Sequence, residues 1–582
     1  MNRNTNMHFA NVPQIHTQRS KFDESFSIKS TFNVGEIIPL FVDPDILPGS
    51  TIQMDMAEVI RMATPIYPIM DNIMADLYWF FVPDRLVWAN HAKFWGENDD
   101  PWAQQTEYEV PQITSPSGGW TEGTIADYMG IPTKVPDLSV NAKPFRAYAK
   151  IFNDWFRDEN LMTSCHMYTD DTTRQGSNGT TRVTDCELGG MPAKASKMHD
   201  YFTSCLPSPQ KGDPVSIPLT GQLDVYTGAT NHTTTGDDLY KIHYGIMDSN
   251  HKMINPDFKD GNNVSRTNNY VLGLQSNARD ITPYVTSNAL RGTYQPSGTA
   301  INQTAEGYAP INLYADMSNA TAVTINALRQ AFAVQKYLEA LGRNGSRYIE
   351  WVRGIFGVVS SDARMQRAEY LGGQRIPINM DQIIQTSSTD ATSPQGNTSG
   401  FSCTRSRSSM FTKSFEEHGT LMCMLVLRVE HSYQQGLHKC WTRRKWSDFF
   451  NPYFQNLGEQ AVLNENIYAQ GSSVVDADGN IIDKQAFGYQ EAWAEYRYKE
   501  NRVTGYMRSN ATGSLDVWHL ADDYNSLPTL GSTWIEEPKD NVNRVIAVTS
   551  QITHQFWADF YFKCYYTLPM PVYSVPGLID HV

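Results

Sequence analysis

The feature that most limits the fold lies near the C-terminus, where Phe556, Ala558, Phe560, Phe562 and Cys564 alternate with Trp557, Asp559, Tyr561 and Lys563. A period of two puts the first group on one side of an extended chain and the second on the other, the signature of a half-buried strand. The same alternation opens the chain, with Phe26, Ile28, Ser30, Phe32 and Val34 against Ser27, Lys29, Thr31 and Asn33. In a sandwich, strands at the two extremes of a 582-residue chain can pair with each other. A further strand is expected near Leu77 to Val82. The segment from Glu36 to Ile60 is broken by Pro39, Pro44 and Pro48, with Asp43, Pro44 and Asp45 supplying turn chemistry. The expected class is mainly β, and the length allows one large core with sizeable insertions.

Two helices interrupt the strand pattern. RAYAKIFNDWFRDENL places Tyr148, Ile151, Phe152 and Trp155 on one face at the 3.6-residue period. The second starts at Thr324 as N-cap and carries Ile325, Leu328, Phe332 and Leu338 to Leu341, with Gly342 placed to end it. Both read as core-packing helices in long connections. Residues 221–320 differ in kind: 15 of the 100 are charged, 12 are Asn and 11 are Thr. So little charge argues against a solvated linker, and short hydrogen-bonding side chains favour an ordered, loop-rich surface insertion. The chain thus divides into 1–220, the insertion 221–320, and 321–582.

The balance of 47 Lys plus Arg against 62 Asp plus Glu gives a net charge of -15, the wrong sign for coating nucleic acid by charge alone. Charged residues make up 19% and aromatics 12%, which favours burying surface against neighbours. Seven scattered cysteines without a CxxC read as reduced, mostly buried thiols of a reducing compartment. The N-terminus lacks the apolar core of an export signal, so export is not expected. The most apolar runs, DLYWFFV and LMCMLVLRV, fall well short of the ~20 residues that span a bilayer, so no membrane insertion is expected.

Long collinear strings carry a resemblance. HFANVPQIHTQRSKFDESFSIKSTFNVGEIIPLFVDPDILPGST, RAYAKIFNDWFRDENL with DYFTSCLPSPQKGDPVSIPL, YLGGQRIPINMDQIIQTSS, SFEEHG with SYQQGL, and GYQEAWAEYRYKENRVTGYMR follow one another along the chain. In these the sequence resembles the major capsid proteins of the Microviridae, specifically the gokushovirus branch of small single-stranded DNA bacteriophages. The resemblance implies an eight-stranded antiparallel viral jelly roll with long loop insertions and a few helices. It implies about sixty copies closing into the simplest (T=1) icosahedral shell around a circular single-stranded DNA genome. It also implies a small basic DNA-packaging protein, an internal scaffolding protein, a minor pilot protein, and assembly in the host bacterial cytoplasm into a virion. In gokushoviruses a large insertion protrudes at the threefold axes, and 221–320 matches it in place and size. A host-surface receptor is its expected partner.

For DNA contact, CWTRRKW sets Arg443, Arg444 and Lys445 between Trp441 and Trp446, the mixture of cations and stacking faces that single strands require. The alternative is a solvated basic loop or a contact between subunits. Arg405 and Arg407 in TRSRSS form a second candidate. VVDADGNIID lacks the third acidic ligand and the final glutamate of a calcium loop, having Phe487 there, so a hairpin turned at Asp478 and Gly479 is expected. Glu491 and Glu495 would share a face if helical, but Arg497 and Lys499 lie near enough to neutralise them. There is no HExxH, GxSxG or complete phosphate loop. No catalytic residue, metal site or cofactor is therefore expected. A secreted β-sandwich glycosidase or lectin would share the aromatics and acidity, yet not the missing export signal, the unpaired cysteines or the collinear resemblance.

Overall fold

The computed structural model describes residues 18–99, 106–216, 324–345, 347–359, 366–387, 389–391 and 394–573, together with the backbone of short strands between Val225 and Ala315. The chain divides into two compact units, Met1–Asp213 with Tyr337–Val582, and Pro214–Lys336.

The sandwich of the first unit is built on nine strands: β1 (Ser20–Asp23), β2 (Phe26–Phe32), β3 (Ile37–Ile46), β4 (Thr51–Met62), β5 (Ile73–Pro83), β6 (Glu369–Pro377), β7 (Thr404–Ser414), β8 (Gly419–Val429) and β9 (Phe556–Leu568). β1 and β2 both pair with β9, one interrupted strand against a continuous one. The first sheet runs β1/β2, β9, β4, β7 and the second β6, β5, β8, β3, all antiparallel. Successive strands thus alternate between sheets except at β5 and β6, which is the connectivity of an eight-stranded jelly roll. The pairing of first and last strands matches the two alternating patterns, Phe26 facing Phe562 and Phe32 facing Phe556.

Two kinds of sequence pattern produce two kinds of sheet. β9 alternates buried and exposed along most of its length, because the first sheet has only one covered face. Its Phe560 and Phe562, with Met54 and Met56 of β4, pack on Leu77 and Trp79 of β5 and on Leu421, Cys423 and Leu425 of β8. Trp79 is fully buried, with Phe41, Phe411 and Phe562 rings 5.2, 5.4 and 6.0 Å away. β8, by contrast, is buried at all but one position. Its other face, Met422, Met424 and Val426, lies under helix α1 (Lys143–Ile151), whose Tyr148, Ile151 and following Phe152 complete a second core. The Tyr148 hydroxyl donates to Ile37 O at 2.8 Å, fixing α1 to β3.

Some expectations are corrected. No turn forms at Asp43 to Asp45; the chain stays extended through Ile46, and its prolines are tolerated because β3 is the edge of its sheet. After Ile151 the helix widens into a π turn, Phe152–Phe156, which periodicity does not foretell. The helix α2 (Ile325–Arg343) begins at Thr324, whose hydroxyl accepts from Ala327 N at 3.1 Å, but it runs past Gly342. It is not a core helix: Ile325 and Phe332 are 71% and 66% exposed. The 476–480 turn closes as expected, with Val475 bridging Ile481 and the Asp476 carboxylate accepting from the Asp478 and Asn480 amides.

The second unit contains a five-stranded antiparallel sheet that includes His243–Met247, Leu272–Asn277 and Asp280–Val285. The Asn- and Thr-rich stretch falls within its limits; its side chains lie outside the described residues.

A buried charge network ties distant segments of the first unit together. His431, just beyond β8, has Nδ1 2.9 Å from Asp522 and Nε2 3.1 Å from Glu537. Asp522 also takes Lys197 at 3.2 Å and Asn541 at 2.7 Å. Beside it Gly35 holds φ +78°, and a Cβ there would stand 2.6 Å from Glu537 O, so the β2–β3 turn requires glycine. Burial by itself would lower the His431 pKa, but the charges and hydrogen bonds of Asp522 and Glu537 outweigh it and raise it to about 10. A raised folded-state pKa stabilises fully below the unfolded value of 6.5 and is lost as pH rises through the folded one. Urea midpoints measured from pH 6 to 10 should therefore fall for the native chain. His431→Gln should be destabilised at pH 6 and flatter over that range; parallel curves would contradict the assignment.

Candidate nucleic-acid interface

The two basic sequences lie on different elements, and among the described residues no hydrogen bond, ion pair or ring contact joins them. The first occupies the connection 430–555 between β8 and β9. There His438 caps a single 3-10 turn, Lys439–Trp441, and Asp448 accepts from the Arg444 and Lys445 amides to close the next. These tight turns throw Trp441 and Trp446 outward, 73% and 77% exposed, with Trp446 stacked 5.8 Å from Phe454. Arg444 and Lys445 are exposed, and their side chains form no ion pair among the described residues.

Arg443 behaves differently, which corrects the expectation that it stands free with its neighbours. Its side chain is 9% exposed and donates to the buried Glu495 carboxylate at 2.8 Å. Its guanidinium also lies 4.1 Å from the Tyr496 ring centre. Lys439 adds a second cation 3.9 Å from Glu495. The carboxyl pair considered above is likewise accounted for: Glu491 ends a strand and pairs with Arg497, while Glu495 sits on a single turn, Ala494–Arg497, and is neutralised from another segment. The two acids share no helix face, and each is paired with an arginine.

The second basic sequence is β7. Arg405 and Arg407 point to the outer face of the first sheet, exposed and without an ion pair among the described residues. Register places their neighbours. One row reads Arg405, Val59, Asp559, Lys29, and the next Arg407, Ala57, Tyr561, Ser27. Arg61 faces Trp557 one step further along. Cross-strand partners two positions apart lie within reach of long side chains, so Arg61, Arg405 and Arg407 share a surface with the half-exposed rings of Trp557 and Tyr561, 39% and 47% accessible. A groove of about 1190 Å³ runs along this face, lined by Lys29, Arg61, Arg405, His554, Trp557 and Asp559. Its acids are partly answered: Asp559 holds Lys29 at 3.6 Å, Glu122 pairs with Lys134, and Asp127 accepts from the Gly123 amide.

Arg61, Trp557 and Tyr561 were not singled out from the sequence. Alternation assigned Trp557 and Tyr561 to an outward face, but nothing linear indicated that β4 would set Arg61 against them. Chemically, guanidiniums without carboxylate partners beside accessible rings suit a flexible polyanion carrying bases. Among the described residues no group of three His, Cys, Asp or Glu side chains could hold a metal ion, and no helix is long and apolar enough to cross a membrane.

Comparison with known proteins places the whole chain. A family described as Capsid protein (F protein) matches residues 10–578. The capsid protein VP1 of Spiroplasma virus 4 is 42% identical over 567 residues, covering 97% of this chain and 96% of that one. Capsid protein VP1 of Chlamydia phage 1 is 39% identical over 589 residues, covering 98% and 97%. That of Bdellovibrio phage phiMH2K is 40% identical over 577 residues, with the same coverage.

Replacing Arg443 by Ala removes the main partner of a buried carboxylate and should cost about 3 kcal/mol. Arg444→Ala should stay within about 0.5 kcal/mol of the native chain. Urea unfolding of the two variants side by side measures the difference; equal midpoints would place Arg443 outside the fold's own electrostatics.

Proposed function

Because this chain belongs to the phage capsid protein (F protein) family, and is therefore a structural protein of the virion and not an enzyme, we propose that about sixty copies close into a T=1 icosahedral shell. That shell encloses a circular single-stranded DNA genome, and the outer face of the first sheet and the 441–446 loop are its DNA contacts. The observation that carries the DNA assignment is the set of Arg61, Arg405 and Arg407, without an ion pair among the described residues, beside Trp557 and Tyr561. Phosphate attraction and ring stacking together serve single strands of any sequence. Trp441, Arg444, Lys445 and Trp446 offer the same chemistry on a loop, with Arg443 fixing that loop's geometry.

A net charge of -15 per chain leaves the genome's phosphates largely unneutralised by the shell itself. A small basic DNA-packaging protein fits that deficit. An internal scaffolding protein, a minor pilot protein and assembly in the host cytoplasm complete the reading. The region 221–320, as a surface insertion at the threefold axes, is the part that meets a host-surface receptor, since loop-rich projections tolerate the variation recognition demands.

Two measurements test this. Each single-strand phosphate contact contributes about 0.7 to the slope of log affinity against log salt. An R61Q/R405Q/R407Q variant binding an oligodeoxythymidylate should thus lose about 2 from that slope, and its particles should sediment as shells with less DNA. An unchanged slope and genome content would remove these arginines from the interface. Separately, virions lacking most of 221–320 should form intact yet adsorb poorly to cells; normal adsorption would end the receptor assignment.

A further inference from the structure

Two of the seven cysteines stand together. All seven are free thiols, five of them buried, and Cys165 and Cys186 are among those five. They lie 21 positions apart on segments that run side by side over the second sheet. The Arg182 guanidinium donates to Thr163 O at 2.7 Å, His166 N to Val183 O at 2.8 Å, and Tyr168 N to the Glu187 carboxylate at 2.9 Å. Asn153 clamps the Cys165 backbone from the π turn, accepting from its N at 2.8 Å and donating to its O at 2.9 Å. Between these ties Cys165 Sγ lies 3.1 Å from Arg182 O, the carbonyl one helical turn before Cys186, and the two thiols are near enough to shift each other's pKa in opposite directions. Elsewhere Cys564 meets the Met54 sulfur, and Cys440 is exposed.

We propose that Cys165 and Cys186 close into an intramolecular disulfide when the shell leaves the reducing interior of its host. Two S–H bonds break and one S–S bond forms; the two electrons and two protons pass to dioxygen, giving hydrogen peroxide. The site suits that oxidant. The Cys186 thiol, and beside it the Arg182 and Arg157 guanidiniums, hold the Cys165 thiol below its ordinary pKa, which favours the reactive thiolate. Cys186 is pushed well above its own value, first by the Cys165 contact and then by burial. Dioxygen is small and apolar enough to enter a packed interior that a bulky thiol reductant cannot. The bond would therefore form slowly and resist reduction once made. The ties at Arg182, Val183 and Glu187 already hold the two segments side by side, so closure has little chain ordering left to supply. In the unfolded chain the bond would restrict a loop whose entropy otherwise favours unfolding.

This rests on the shell reading only for where the oxidant is met. The full-length soluble chain and assembled particles are therefore tested separately, each kept with and without air, alkylated in denaturant and digested with trypsin. Cleavage after Arg157, Arg174, Arg182 and Lys194 puts the two cysteines on different peptides. The aerated samples should yield these peptides joined, lighter than the reduced pair by two hydrogens, with the urea midpoint raised and restored by dithiothreitol. Cys186→Ser should leave Cys165 fully alkylated. Complete alkylation of both thiols after aeration, or linkage of Cys165 to another cysteine, overturns the proposal. Linkage in a chain that never forms particles would instead count against the shell alone.

Discussion

The structure depends on burying both faces of one sheet. β8 presents apolar side chains in both directions, so Leu421, Cys423 and Leu425 need the first sheet while Met422, Met424 and Val426 need something else. A sandwich of two sheets supplies only one of these covers. The chain supplies the other from its own insertions, above all α1 with Tyr148 and Phe152 and the segments carrying Cys165, Cys186 and Phe202. The long connection between β5 and β6 is thus partly a third layer of the core, and its packing there explains why it is not a solvated loop.

That choice leaves the two sheets unequal. The first sheet keeps a one-sided pattern, and its outer face displays Arg61, Arg405, Arg407, Trp557 and Tyr561. A surface of this kind is stable in water because its rings are only partly exposed and its charges are solvated. Charge within the core is handled in the opposite way. His431 with Asp522 and Glu537, and Arg443 with Glu495, are buried ions matched to partners from remote segments. Removing one member of such a set strands its partner, so these groups hold the long 430–555 connection in a single arrangement.

The same contrast bears on assembly. A shell subunit must be rigid before it meets its neighbours, since every contact is repeated by symmetry and an error in one is repeated in all. Three layers of packing and a network that joins the β2–β3 turn to the 522–537 segment provide that rigidity. Trp441, Trp446 and Tyr453 stand exposed on that rigid frame.

Local pattern along the chain was enough to place the strands at both ends, the one-faced character of β9, the start of α2, the 476–480 turn and the mainly β class. All of these are local periodicities or capping patterns that a few consecutive residues can express. It also located the basic strings at 405–407 and 443–445. Which of those cations remain available was settled by long-range pairing. Arg443 meets Glu495 across 52 positions, and Arg61 meets Trp557 across nearly the whole chain. The extended course of β3 through its prolines, the exposure of α2 and the meeting of Cys165 with Cys186 likewise depend on what lies alongside. Periodicity reports how a segment divides between inside and outside; which remote partner stands on either side is set by strand order and register, and these are properties of the whole chain.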